Sequence, residues 1–208
     1  MLFPEVLAFA RAALPPPPAR VLEIGAGHGE LAAALDDAGY TVVAIDPAGH
    51  VAEVIRVALH ELAEPPGSFA AAVAVVSLHH VEPLAESCRR LAELVCPGGA
   101  LVIDEFDVER FDERAAAWWL EQRGEAGDPA TVVAGPREHL HPVRRIRTEL
   151  SPWFDLGEPV PGPYLYRWEL PADLRATEEA LIAAGELPAT GARLIGRRRP
   201  LAGSASAA

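Results

Sequence analysis

The stretch that most constrains this chain is Val21 to Leu31, VLEIGAGHGEL. An apolar run ends in Glu23, glycines follow at alternate positions (Gly25, Gly27, Gly29), and helix-forming residues take over at once. This predicts a buried strand, a tight turn and a helix whose first N–H groups face a ligand. Glycine suits the turn because a Cβ would obstruct it and hold a bound molecule away from the backbone.

The glycine spacing narrows the ligand. A dinucleotide turn reads G-x-G-x-x-G, with its third glycine three residues after the second. That position is Glu30 here, and a carboxylate beside a pyrophosphate is unfavourable. Thr41 to Ile45 (TVVAI) predicts a second strand, and Asp46 ends it. An acid about 20 residues past the turn is placed to accept the hydroxyls of a ribose. Its two oxygens match two vicinal donors, and it can also cap the chain at Pro47.

The pattern E-x-G-x-G-x-G in Glu23, Gly25, Gly27 and Gly29 resembles motif I of the class I S-adenosylmethionine-dependent methyltransferases. Gly67 to Val81 (GSFAAAVAVVSLHHV) looks like the fourth strand of that family. Leu91 to Phe106 (LAELVCPGGALVIDEF) looks like its helix, Pro-Gly-Gly turn and fifth strand. The likeness covers residues 19–106 and is of the small-molecule type. It implies S-adenosylmethionine as cofactor and in-line methyl transfer to an acceptor. By the same resemblance Glu23, Gly25, Ala26, Gly27, Asp46 and Ser77 bind the cofactor. Two departures stand out: Ala58 occupies the place of an adenine-contacting acid, with His60 or Glu61 as substitutes if the loop shifts, and Ala70 replaces the Asp after Phe69.

The expected fold is one α/β, Rossmann-like, doubly wound domain. Its seven-stranded sheet is mostly parallel, with an antiparallel last strand and a helical lid insertion. Residues 1–18 form a leader helix and proline spacer, read equally as a lid at the ligand mouth or a cover on the sheet edge. Residues 19–106 form the cofactor-binding core, and 107–150 a helical cap with helices from Phe111 to Arg123 and from Pro136 to Leu150. Residues 151–199 form the sheet edge, with a strand over Gly162 to Leu170 and another over Ala189 to Arg198. Residues 200–208 form a disordered tail. The short connection from Asp46 to Phe69 leaves room for only a reduced helix.

His79 and His80 follow the fourth strand, on the carboxyl edge where open α/β sheets bind ligands. Alternation points one into the cleft, where an imidazole can act as a general base; a hydrogen-bonded structural pair is the plainer role. Trp118 and Trp119 are candidates for lining the acceptor or meeting a sulfonium, or else apolar packing of their helix. His139 and His141 are further acceptor-lining candidates. Their spacing could chelate a metal, but no further ligands complete a set, and no metal is expected. The run His60 to Glu64 lacks the second His of a zincin helix.

With 208 residues, 50% of them hydrophobic, the chain can bury a full core. Its formal net charge of −12 speaks against a nucleic-acid partner, and no stretch reaches the ~20 apolar residues that span a bilayer. Cys88 and Cys96 have no disulfide spacing, which points to a reducing, cytoplasmic setting. The missing basic surface and the aromatic insertion favour a small-molecule acceptor, with a peptide or protein side chain as the alternative and oligomeric state open. The rival readings are a nicotinamide-dependent oxidoreductase, a non-catalytic cofactor-binding protein, and a subunit completed by a partner.

Overall fold

A computed structural model of the chain describes residues 2–49 and 51–200. Helix α1 (Pro4–Ala13) leads into β1 (Arg20–Ile24), α2 (Glu30–Asp37), β2 (Thr41–Ile45) and the two-residue β3 (Val54–Ile55). Then come β4 (Phe69–Val75), α3 (Leu84–Leu94), β5 (Val95–Phe106), α4 (Glu113–Arg123), α5 (Pro129–His139) and α6 (Val143–Leu150). The chain closes with β6 (Phe154–Leu156), β7 (Val160–Gly162), α7 (Arg175–Ala183) and β8 (Gly191–Arg198).

The sheet order is β3-β2-β1-β4-β5-β8-β6, with β7 also paired to β8. The first five strands in this order run parallel, and β8 is antiparallel to its neighbours. Helices cover both faces of this α/β sheet, as expected. Among the described residues the strands number eight rather than seven, because two short segments share the outer edge of β8. No α-helix separates β2 from β3 among the described residues.

Period-two alternation sorts the strand residues between two apolar clusters. Leu22, Ile24, Ala72, Ala74, Leu101 and Ile103 face α3 and α6. Val21, Ala71, Val73, Ala100 and Val102 face α1 and α2. By the same parity Glu23 points to the α1 side. The expected turn Pro97–Gly99 bulges out of β5, since Phe69 pairs with Val95 but Ala71 pairs with Ala100.

Three expectations are corrected here. The helix from Pro136 to Leu150 is two helices, broken at Leu140–Pro142, where Pro142 cannot continue the hydrogen-bond ladder. Of the expected 107–150 cap, α4 and α5 lie in a third cluster, shared with Phe106, Tyr164 and α7, while α6 packs against the main core. The strand over Gly162–Leu170 is the short β7 followed by a 3-10 turn, Leu165–Arg167. Pro161 and Pro163 deny the ladder two donors, and Glu178 captures the N–H groups of Tyr164, Leu165 and Tyr166 at 2.8, 3.0 and 2.8 Å. Residues 201–208 of the expected tail lie outside the described residues. Among the described residues, no helix is long and apolar enough to cross a membrane.

Candidate active site

The glycine turn joins β1 to α2 at the carboxyl edge of the sheet. Gly25 has φ +71°, and a Cβ there would stand 2.3 Å from Ser77 Cβ. That close approach, together with the left-handed backbone, requires glycine. The turn is tied to the end of β2: Gly25 and Ala26 donate to the Ile45 carbonyl at 2.8 and 3.0 Å. Asp46 accepts from Gly27 N–H at 3.0 Å and from Ala48 N–H at 2.8 Å. The two acids and the turn expected from the sequence are therefore brought together.

Two cavities meet at the turn, sharing Gly25 and Val76 as walls. The outer one, of about 410 Å³, runs between Asp46, Pro47 and Ala48 on one side and Ser77, His80 and Val81 on the other. Its far wall is Val57, Ala58 and Leu59, apolar where an acid was absent from the sequence. Neither His60 nor Glu61 lines it. The inner cavity, of about 250 Å³, lies under α1 and is walled by Phe3, Val6, Glu23, Ala26, Tyr164 and Arg167. Val76 has φ +51°, an uncommon value for a β-branched residue, at the point where the cavities join.

Buried polar groups along this path lack partners. Glu23 is 4% exposed, and its Oε2 makes no hydrogen bond, nor does Ser77 Oγ. Burial pushes the Glu23 pKa up to about 8; an N–H bond from Ala32 opposes this and the Asp46 charge adds to it. Orphaned buried groups beside a turn without room for a Cβ are the marks of a ligand cradle.

His79 and His80 sit on a 3-10 turn, Leu78–His80, just past β4. His79 is buried, with Nδ1 2.5 Å from Glu105 Oε2. The other oxygen of Glu105 accepts from the N–H groups of Ser77 and Leu78 at 2.9 and 2.6 Å. His80 lies at the cleft, its ring centroid 4.2 Å from that of His79. Burial, and then the neighbouring His79, lower the His80 pKa.

The remaining candidate residues lie elsewhere. Trp118 and Trp119 are buried in the α4–α5 cluster and line neither cavity. The indole N–H of Trp119 donates to the Trp168 carbonyl at 2.8 Å. His139 is exposed on a polar surface groove with Arg137, Arg144 and His141, reaching the outer cavity only at Glu82. His141 is buried; its backbone N–H donates to the His79 carbonyl at 2.9 Å, and Nε2 stands 2.9 Å from Glu82. It braces the histidine turn from behind. Sequence reasoning missed Glu105 and Arg167. The one signal for Glu105 is an acid interrupting the apolar run at the end of β5.

A methyltransferase-domain family model matches residues 2–145. The chain belongs to the methyltransferase family. This decides the choice left open by the glycine turn against the nicotinamide reading. The ubiquinone biosynthesis O-methyltransferase of Xanthomonas campestris pv. campestris is 38% identical over 120 residues, covering 49% of this chain and 49% of the relative. The chain thus spans about half the length of that curated relative. Among solved structures, an S-adenosylmethionine dependent methyltransferase from Mesorhizobium loti superposes with a TM-score of 0.62 at 18% identity, over 93% of this chain and 96% of the other. The Burkholderia thailandensis 1,6-didemethyltoxoflavin-N1-methyltransferase, bound to 1,6-didemethyltoxoflavin and S-adenosylhomocysteine, gives 0.57 at 17% identity, over 95% and 78%. These two likenesses are of fold.

Proposed function

We propose that this chain transfers a methyl group from S-adenosylmethionine to a small-molecule acceptor. The observation that carries the proposal is the cradle: a glycine turn without room for a Cβ, Asp46 beside it, and the unpartnered Glu23 Oε2 and Ser77 Oγ. When bound, the cofactor supplies an electrophilic methyl on a sulfonium. Everything else falls to the protein's own side chains. Pro47, Ala48, Val57 and Leu59 give the adenine an apolar slot. Asp46 exchanges its N–H partners for ribose hydroxyls, and Glu23 faces the amino-acid end. Holding the acceptor in line and near contact can supply ~7–11 kcal/mol of barrier lowering.

His80 is the proposed proton acceptor, since it lines the cleft and its lowered pKa keeps it neutral near pH 7. Proton removal of this kind contributes ~100- to 10,000-fold. His79 orients it from behind, held by Glu105. In this reading α1 closes the inner cavity, and α4 and α5 cap the acceptor side with Trp118 and Trp119 as their packed interior. The free thiols of Cys88 and Cys96 accord with a cytoplasmic setting. The small-molecule class is supported by the 1,6-didemethyltoxoflavin bound in the Burkholderia protein of similar fold. Calorimetric titration with S-adenosylhomocysteine tests the reading, with a micromolar dissociation constant expected. Absent binding, with NADH stabilising the protein instead, would sink it.

A further inference from the structure

Arg167 walls the inner cavity, yet the cofactor assignments leave it without a task. It belongs to the 3-10 turn Leu165–Arg167, beyond the family-matched residues 2–145. Its side chain is 6% exposed. One guanidinium nitrogen, Nη2, donates to Asp104 Oδ1 at 2.6 Å, while the Nε–H is buried with no partner. The group is rigidly placed. The guanidinium carbon lies 4.9 Å from the Tyr164 ring centroid, and Glu178 clamps three successive N–H groups of the same turn.

Around Asp104 the guanidiniums outnumber the carboxylate. Asp104 also accepts from Arg193 Nε at 2.8 Å, so two guanidiniums face one buried carboxylate. Glu178 directs its oxygens to backbone N–H groups, and Glu5 directs its own to Tyr166 and Arg175. Two acids line the cavity with Arg167: Glu23, whose raised pKa leaves it largely uncharged at neutral pH, and Glu30 at the start of α2. A buried guanidinium with one unused N–H is matched by an oxygen anion, best by a carboxylate.

We propose that Arg167 receives a carboxylate in the inner cavity. Two molecules can bring one there: an acidic acceptor, or the cofactor through its amino-acid end. The proposal rests on the methyltransferase reading of the site. The place of Arg167 outside the family-matched residues favours the acceptor.

The test is calorimetric binding on the full chain, unaltered and as Arg167→Lys and Arg167→Gln, with thermal melts to establish folding. Lysine keeps a cation for Asp104 and lacks the Nε–H, so it serves even where glutamine disturbs the fold. The probes are S-adenosylhomocysteine; methylthioadenosine, which lacks the amino-acid end; and, on protein saturated with S-adenosylhomocysteine, benzoate against benzamide. Benzoate suits the aromatic walls, Phe3 and Tyr164.

With a carboxylate on the acceptor, benzoate binds the unaltered chain at least tenfold tighter than benzamide, and both variants lose that preference while binding both nucleosides normally. With the carboxylate of the cofactor, the variants bind S-adenosylhomocysteine at least tenfold more weakly and methylthioadenosine unchanged. Either result supports the proposal. Unchanged affinities throughout overturn it, as does equal weakening of both nucleosides, which marks a structural role only. If the unaltered chain binds neither nucleoside, the methyltransferase reading fails and takes this proposal with it.

Discussion

Glu105 holds His79 through a 2.5 Å contact to Nδ1, and with its other oxygen it gathers the two N–H groups that begin the same turn. One buried carboxylate therefore sets both a backbone bend and an imidazole orientation. With Nδ1 facing a carboxylate, the ring is fixed in tautomer and in plane. Glu105→Gln replaces one acceptor oxygen with a donor, so either His79 or the N–H pair is left facing an amide NH₂. The expected loss of stability is ~1–3 kcal/mol, the cost of a buried unsatisfied group. Urea unfolding measures it, and an unchanged midpoint would refute the anchoring role.

Asp46 ties the glycine turn to the end of β2 and stands at the outer cavity. Asp46→Ala should weaken S-adenosylhomocysteine binding by ~1.5–3 kcal/mol through loss of charge-assisted hydrogen bonds. That is roughly 10- to 150-fold in the dissociation constant. Calorimetry would reject the ribose assignment if the constant did not move.

Glu23 links stability to pH. Its pKa is about 8 in the fold against an ordinary 4.5, so between these values the folded state holds a proton that the unfolded chain has lost. Its contribution is most favourable below pH 4.5 and declines as pH rises to about 8, at up to ~1.4 kcal/mol per pH unit. Glu23→Gln keeps the shape and removes the titration. The variant should gain on the parent protein steadily from pH 5 to 8 in chemical unfolding. A difference that stays constant over that window would contradict a protonated buried Glu23.

Gly25→Ala puts a methyl carbon 2.3 Å from Ser77 Cβ on a backbone of positive φ. Neither atom belongs to a flexible side-chain end, so the turn and the β4 loop must separate. A loss of ~1–3 kcal/mol in stability is expected from the overpacking alone. Cofactor affinity should fall further, since Gly25 walls both cavities. Near-normal affinity in this variant would mean that the ligand does not approach the turn.

Local patterns made the cofactor half readable in advance. The strand–turn–helix of Val21 to Leu31, the acid at Asp46 and the Pro97–Gly99 turn each depend on neighbours a few residues away, which a sequence displays. Arg167 depends on Asp104 and Glu178, 63 and 11 positions distant, and no local spacing signals that meeting. The same reason hid the fate of Gly162–Leu170. Its alternating aromatic and polar residues fit a strand, but the carboxylate of Glu178 bends the backbone into a turn. For Trp118 and Trp119 the sequence allows both a ligand contact and helix packing, and packing prevails: both are buried in the cluster of Phe106 and Phe111, with Trp168 against the Trp119 ring.

The inner cavity takes walls from Phe3 and Val6 of the leader segment and from Tyr164 and Arg167, and contacts just behind these walls tie the same segments together. Glu5 on α1 meets Tyr166 across 161 positions, and Arg193 reaches the Glu5 carbonyl across 188. Contacts of such separation carry the largest loop-closure cost and form late. During synthesis the inner cavity therefore stays open on the Tyr164–Arg167 side until that turn has been made, long after the glycine turn. The compartment where acceptor and methyl donor would meet is among the last parts of the molecule to assemble, and among the first to be lost when either end is cut away.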